Sequence, residues 1–122
     1  MTYHRAIVTV DHHQAVILCL DGETHTTKNV HLHGHNTPQH SAEIRDRHEF
    51  YAEVVDGLKG LTEVLVAGHR TGLDDFKHYV EKHRPALADL VIGYETIDKP
   101  TEGQLVAFAR EYFDKHERLA HS

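Results

Sequence analysis

The sequence predicts an α/β fold in which helices cover one mixed sheet. Over residues 4–34 the apolar and β-branched residues fall in short runs separated by polar turns, a pattern typical of strands. From residue 41 onward, apolar residues recur every three or four positions, and these helical stretches alternate with short apolar runs. This order favours a single mixed sheet. A length of 122 residues predicts one domain over residues 1–122.

Three strands joined by tight turns are predicted at the start of the chain. Their runs are HRAIVTVD (4–11), AVILCL (15–20) and THTTKNVHLHG (24–34). The first two are separated by the polar stretch DHHQ, and the next two by DGE, which contains the Asp-Gly signal of a hairpin. The three strands therefore predict an antiparallel meander.

The first helix is predicted to begin at Ser41, a good N-cap residue, and to end near Gly60. Its apolar stripe has spacings of three and four and consists of Ile44, His48, Tyr51, Val55 and Leu58. A histidine in such a stripe is more often a hydrogen-bonded core residue than a catalytic base. We therefore expect His48 to be buried.

The rest of the chain predicts a strand, a helix, a strand and a helix. The corresponding segments are 61–68, 71–83, 88–97 and 101–119. Pro85 is expected to end the middle helix, and Thr101 to cap the last one. The complete order, β-β-β-α-β-α-β-α, fits a ribonuclease-H-like mixed sheet.

Charge and histidine content bear on the binding partners. Thirteen basic against nineteen acidic residues give a net charge of −6, the wrong sign for binding nucleic acid by bulk electrostatics. The chain is histidine-rich, with 14 histidines, nine of them within the first 48 residues. Because histidine titrates near pH ~6.5, mildly acidic conditions would make the net charge much less negative.

Hydropathy predicts a cytoplasmic protein without a membrane partner. No apolar run approaches the ~20 residues of a membrane-spanning helix. The opening MTYHRAIVTV also lacks the long apolar stretch of a signal peptide.

The segment VHLHGHNTPQHSAE (30–43) suggests a metal site. Alternate residues of a strand share a face, so three side chains would point the same way: His31, His33 and His35. Two imidazoles at this spacing can bind one zinc or another divalent ion, and His25 or His40 would supply a further nitrogen. The alternative is a polar, solvent-facing strand edge with no cofactor.

Asp11 in DHHQ is a second candidate metal ligand, because it lies at a strand end, where acidic metal ligands of nuclease-type sheets are found. Such nucleases need several converging carboxylates. The sequence offers no clear partners for Asp11, so DHHQ is interpreted as a hairpin turn.

Three segments share their order with a known family. These are AIVTVDHHQAVILCLDGE, SAEIRDRHEFYAEVVDGL and VLVAGHRTGLDDFKHYV. The second has Ser41-Ala42, Arg45, Arg47 and then His-x-Phe-Tyr, and the third has Ala-Gly at a strand end. Over roughly residues 5–116 the chain resembles the middle domain of eukaryotic and archaeal class 1 peptide-chain release factors and of Pelota. It also resembles their bacterial stand-alone relatives, often labelled translational machinery proteins.

The catalytic loop is where the sequence departs from that pattern. Release factors carry Gly-Gly-Gln before this helix, whereas residues 38–40 here are Pro-Gln-His. Proline and glutamine cannot copy the backbone freedom of two glycines. Because Pelota also lacks the triplet, the resemblance implies a translation-associated protein that binds the ribosome or tRNA without hydrolysing peptidyl-tRNA. No catalytic residue is therefore predicted.

The resemblance and the charge pattern together suggest a contact surface for RNA or the ribosome. It consists of His35, Gln39, His40, Arg45 and Arg47. The alternative is a solvated helix face, because Asp46 and Glu49 lie beside the two arginines.

Two further features leave interactions open. His69 and Arg70 follow a strand and open a helix, a position where α/β sheets bind anions, although AGHRTG is not a Walker motif.

The meander also leaves a sheet edge that could pair with a second copy, which predicts a homo-oligomer as an alternative role.

Overall fold

The computed structural model describes the backbone of residues 4–32 and 40–120, and the side chains of residues 4–32 and 45–119. The described residues form five strands and four helices, which confirms the α/β prediction. Their bounds are β1 Arg5–Val10, β2 Gln14–Asp21, β3 Thr24–His31, α1 His40–Asp56, β4 Glu63–Gly68, α2 Arg70–His83, α3 Pro85–Ala88, β5 Val91–Thr96 and α4 Glu102–Ala120. The four-residue helix α3, which follows the end of α2, was not predicted.

The five strands form one mixed sheet in the order β3-β2-β1-β4-β5. The meander β1-β2-β3 is antiparallel, whereas β4 pairs in parallel with β1 and with β5. As a result β1, β3, β4 and β5 all run in one direction, and their carboxyl ends meet at one side of the sheet. We call this side the carboxyl edge.

Helices cover the two faces of the sheet unequally. The larger core lies under α1, α2 and α3 and includes Phe50, Tyr51, Phe76 and Val80 packed on β1, β2 and β4. The smaller core lies under α4, where Leu105, Ala109 and Phe113 pack on the opposite face. No helix among residues 4–32 and 40–120 is long and apolar enough to span a membrane.

The predicted face of α1 is only partly correct. Tyr51, Val55 and Leu58 are buried as expected, but His48 is exposed, so the prediction of a core histidine is wrong. The buried stripe instead runs through Phe50 and Val54, because α1 packs against the sheet through its aromatic and β-branched side chains. The helix begins at His40, one residue before the predicted N-cap.

A capping box begins α4. The Gln104 backbone N–H donates to Thr101 Oγ1 at 3.1 Å, and the Thr101 backbone N–H donates to Gln104 Oε1 at 2.9 Å. These two bonds satisfy N–H groups that a helix start would otherwise leave without partners. The predicted cap at Thr101 is therefore confirmed.

The variant Thr101→Ala is expected to lower the free energy of unfolding by about 1 kcal/mol, since it removes the hydroxyl acceptor. Urea denaturation followed by circular dichroism would measure the loss. Thr71→Ala is the matched control, because Thr71 is an exposed threonine in the first turn of α2. Equal losses in both variants would contradict a specific role for the cap.

Candidate functional site

Hydrogen bonds donated by backbone N–H groups connect the loops at the carboxyl edge. Asp11 Oδ1 accepts the backbone N–H groups of His13 and Gln14, both at 2.7 Å. The Leu32 N–H, just past β3, donates to the His13 carbonyl oxygen at 2.7 Å. The DHHQ stretch is thus a hairpin turn held by the Asp11 carboxylate, as predicted, and this turn lies beside the end of β3.

One carboxylate connects this turn to both neighbouring helices. Asp75 Oδ2 on α2 lies 2.9 Å from His12 Nε2 in the turn and 3.6 Å from Arg47 Nη1 on α1. All three side chains are between 32% and 48% exposed, so each pair contributes no more than about 1 kcal/mol to stability. The main effect of these contacts is to position the Arg47 side chain beside the gap between α1 and α2.

A pocket of about 200 Å³ occupies that gap. We call it the helix pocket. Its lining is predominantly basic and aromatic, and consists of Arg47, His48, Tyr51, Asp75, His78, Tyr79, Lys82 and His83. Among these lining residues Asp75 is the single acidic one.

Tilted ring contacts connect two histidines of the helix pocket, His48 and His83, with Tyr79. The ring centroid of His48 lies 5.4 Å from that of Tyr79 and 5.5 Å from that of His83. Tyr79 and His83 are themselves 4.9 Å apart. Desolvation, followed by the charges of His48 and Lys82, lowers the pKa of His83, because each disfavours the protonated form. An anion in the pocket would counter the charge effect.

Tyr51 lines the pocket from the core side. The residue is 1% exposed, and among the described residues its hydroxyl has no hydrogen-bond partner. Burial, followed by the negative charge of Asp75, raises the pKa of this phenol to about 12. The hydroxyl is therefore a neutral donor with nothing in the described chain to receive its proton, which is uncommon for a buried polar group.

Because an unpaired buried hydroxyl is costly, Tyr51→Phe is expected to raise the free energy of unfolding of the ligand-free protein by about 1 kcal/mol. Thermal and urea denaturation in an anion-poor buffer would show the gain. Tyr94→Phe, at a half-buried tyrosine on β5, serves as the control and should change little. A loss of stability in Tyr51→Phe would mean that the hydroxyl makes a stabilising bond.

A larger cleft of about 510 Å³ opens on the opposite face, beside the start of α4. We call it the edge cleft. Residues from the carboxyl edge and from the loop before α4 line it, among them Thr9, Asp11, Asn29, His69 and Lys99. Clefts at the carboxyl ends of parallel strands are the usual ligand sites of open α/β sheets.

Glu102 bridges α4 to β3 at the wall of the edge cleft. Its Oε1 accepts a hydrogen bond of 2.6 Å from the Thr27 hydroxyl, and its Oε2 lies 3.6 Å from His25 Nε2. The Thr27 bond, with a smaller contribution from His25, lowers the pKa of Glu102. This contact therefore stabilises the fold above the ordinary carboxyl pKa and is lost as the pH falls through the lowered one.

The residues predicted to contact RNA are only partly within the described chain. His35 and Gln39 lie outside the described residues, and His40 begins α1 without a described side chain. Arg45 is exposed, and Arg47 lines the helix pocket. Asp46, expected to weaken this basic surface, is only 5% exposed, whereas the arginines on either side reach solvent.

The two residues of the predicted anion site at the start of α2, His69 and Arg70, lie in different surroundings. His69 lines the edge cleft, while Arg70 is exposed and does not line it. His69 precedes the helix without a side-chain capping bond. Anion binding by this pair remains a prediction.

The predicted metal ligands lie mostly outside the described chain. His31 is exposed at the end of β3, and His33 and His35 lie in the undescribed segment 33–39. Within residues 4–32 and 45–119 no three His, Cys, Asp or Glu side chains are grouped so that they could hold a metal ion. Binding of zinc by the histidine segment therefore stays a prediction from the sequence.

Solved structures with this fold include Pelota proteins and an archaeal release factor. The Pelota of Archaeoglobus fulgidus matches 97% of this chain with a TM-score of 0.66 and 19% identity, and that of Thermoplasma acidophilum matches 88% with 0.61 and 17%. The archaeal translation termination factor aRF1 matches 96% with a TM-score of 0.64 and 16% identity. The chain has a Pelota/aRF1 middle-domain-like fold.

This likeness confirms, as a likeness of fold, the resemblance inferred from the sequence. The chain spans about a third to two fifths of those proteins, at 32% and 35% of the two Pelota chains and 40% of aRF1. No protein-family model and no curated protein matches the sequence.

Most residues of the helix pocket were not predicted as functional. Arg47 was named, but His48 was assigned to the core, and His78, Lys82 and His83 were not considered. A signal was present on α2, where Asp75, His78 and Lys82 recur at intervals of three and four and therefore share a helix face. The spacing does not, however, predict which other helix packs against this face.

Proposed function

We propose that this protein is a translation-associated binding protein that contacts the ribosome or tRNA through the side of the sheet where α1 begins. The observation that carries this proposal is the Pelota/aRF1 middle-domain-like fold. The charge of the whole chain, −6, does not favour RNA, so binding must depend on a local surface. Arg45 and Arg47, exposed to different degrees along the first half of α1, supply two positive charges there.

The proposed role is binding without hydrolysis. In the resembled release factors the catalytic Gly-Gly-Gln precedes this helix, whereas the sequence here has Pro38, Gln39 and His40. These residues cannot copy the backbone geometry of the glycines. Purified protein mixed with ribosomes carrying peptidyl-tRNA is expected to release no peptide, and stoichiometric release would overturn this part of the proposal.

Sedimentation of native cell extract through a sucrose gradient tests the proposal. The wild-type protein is expected in ribosomal fractions under normal or stalled translation, and Arg45→Glu/Arg47→Glu is expected to shift toward the top of the gradient. Lys59→Glu/Arg118→Glu is the control, since it reverses two exposed charges away from the carboxyl edge. Absence of the wild type from all ribosomal fractions, together with no tRNA in affinity capture, would contradict the proposal.

Self-association through β3 remains a separate prediction. β3 is the strand at one edge of the sheet, and seven of its eight residues are exposed. Edge strands can pair with another chain. Light scattering is expected to show a dimer or larger assembly if this pairing occurs, and a monomer at all concentrations would exclude it.

A further inference from the structure

We propose that the helix pocket is a binding site for a phosphate group. This inference concerns a pocket between α1 and α2 and does not depend on ribosome binding. It rests on three properties of the pocket: the sign of the charges that line it, a buried donor that has no partner among the described residues, and its size.

The charges of the helix pocket favour an anion. Arg47 and Lys82 are permanently positive, and His48, His78 and His83 each add a charge when protonated. The negative charge in the lining belongs to Asp75, whose carboxylate is already shared between Arg47 and His12. A cation would meet a repulsive field here, and within residues 4–32 and 45–119 no group of three metal donors is present.

Helix stability explains only part of this lining. Lys82 and His83 lie in the last turn of α2, where positive charge interacts favourably with the helix dipole. That role does not account for Arg47 and His48, which come from the middle of α1, or for His78, one turn earlier on α2. The convergence of two helices on one pocket is what points to a ligand.

The Tyr51 hydroxyl is the second, independent observation. It belongs to a side chain that lines the pocket, it is buried, and it has no hydrogen-bond partner among the described residues. Buried polar groups are nearly always paired. A ligand oxygen, or a water molecule held by one, would complete the hydrogen bonding of this neutral donor.

The size of the pocket selects a small anion. Sites for drug-sized ligands typically measure about 300–1,000 Å³, whereas the helix pocket measures about 200 Å³. A single tetrahedral group fits, and an arginine fork with an ammonium and imidazole donors is a set that proteins use for phosphate oxygens. The shared chemistry is thus a phosphate group, carried either by a small molecule or by an RNA backbone.

Binding to this pocket is expected to strengthen as the pH falls. The groups that face His83 are His48, His78, Lys82 and Arg84, all basic, with Asp75 as the acidic lining residue. An anion makes protonation of His83 more favourable, so binding takes up protons and affinity rises as the pH is lowered. Sulfate is the probe of choice because it stays a dianion at neutral and mildly acidic pH.

The test is a titration of the ¹⁵N-labelled protein with sodium sulfate at constant ionic strength, followed by NMR at about pH 7.5 and about pH 6. Saturable shifts are expected at residues of the helix pocket, with tighter binding at the lower pH. His78→Ala/Lys82→Met is expected to weaken binding by about tenfold or more. Tyr51→Phe should also weaken it, although that variant should be at least as stable as wild type without sulfate.

The matched control is Lys59→Met/Arg118→Met, which removes two exposed charges outside the pocket and should leave sulfate binding unchanged. Equal weakening in the control, or shifts that spread over all basic residues without saturation, would overturn the proposal. Unaltered binding in both pocket variants would overturn it as well.

Parallel titrations with adenosine 5′-monophosphate and with a short oligoribonucleotide identify the source of the phosphate. If the mononucleotide binds with an affinity similar to that of sulfate, the ligand is a small molecule. If the oligonucleotide binds more tightly than sulfate and the pocket variants lose this binding, the phosphate belongs to an RNA backbone. Because His78→Ala/Lys82→Met on α2 and Tyr51→Phe on α1 both leave Arg45 and Arg47 intact, failure here is distinguishable from failure of ribosome association.

Discussion

Replacing Phe76 with alanine is expected to lower the free energy of unfolding by about 3–5 kcal/mol. Phe76 is fully buried at the centre of the larger core, on the inner face of α2. Its ring meets that of Tyr51 nearly edge-on, with centroids 5.3 Å apart. Removing it leaves a cavity beneath the contact between α1 and α2, which the surrounding side chains can only partly fill.

Urea denaturation followed by circular dichroism would measure this loss. Tryptophan fluorescence cannot be used, because the chain contains no tryptophan. Phe108→Ala is the control of the same chemistry on α4, where the ring is half-buried and packs at the margin of the smaller core. It should cost clearly less. A Phe76→Ala variant as stable as wild type would contradict the described packing of α2.

Gly68→Ala is expected to cost about 1–3 kcal/mol through steric overlap. Gly68 ends β4 and pairs with Val10 of β1, and a Cβ atom built at Gly68 would lie 2.3 Å from the Val10 carbonyl oxygen. The obstacle is backbone, so no rotation of a side chain can relieve it and the two strands must separate. The physical reason for Ala-Gly at the end of this strand is therefore close approach of β1 and β4 at the carboxyl edge.

Gly103→Ala is the control, since a Cβ at Gly103 in the first turn of α4 meets nothing within 4 Å. Alanine favours the helix there by up to about 1 kcal/mol, so a neutral or stabilising effect is expected. Melting temperatures of the two variants, measured side by side, decide the matter. A Gly68→Ala variant that matches wild type would show that the strands can move apart at little cost.

The helices and strands could be predicted because their signals are local. The β-branched runs and the Asp-Gly turn of the meander, the stop at Pro85 and the Thr101 cap each depend on residues within a few positions of one another. The error at His48 has the same origin. Periodicity counted it with the apolar stripe, but the wide buried face of α1 centres on Phe50 and Val54, which places His48 at the rim of the core.

The candidate site was less accessible to prediction because its parts are distant along the chain. His12 and Asp75 are 63 positions apart, and Arg47 meets Asp75 from another helix. The histidines at 31–35 form a group that the sequence alone reveals, because its members are close along the chain. The histidines of the helix pocket are spread over α1 and α2 and become neighbours only in the folded chain.

The sequence by itself determined the five strands and the three long helices, their order and the resemblance to the release-factor and Pelota middle domain, because periodicity, caps and turns are properties of short segments. The tertiary structure alone decided that α1 and α2 lie side by side on one face of the sheet. It also decided that the hydroxyl of the buried Tyr51 has no hydrogen-bond partner among the described residues, and that Tyr51 lines one pocket with Arg47 and Lys82. Helix pairing depends on the fit of whole side-chain surfaces across the core, and no local pattern encodes that fit.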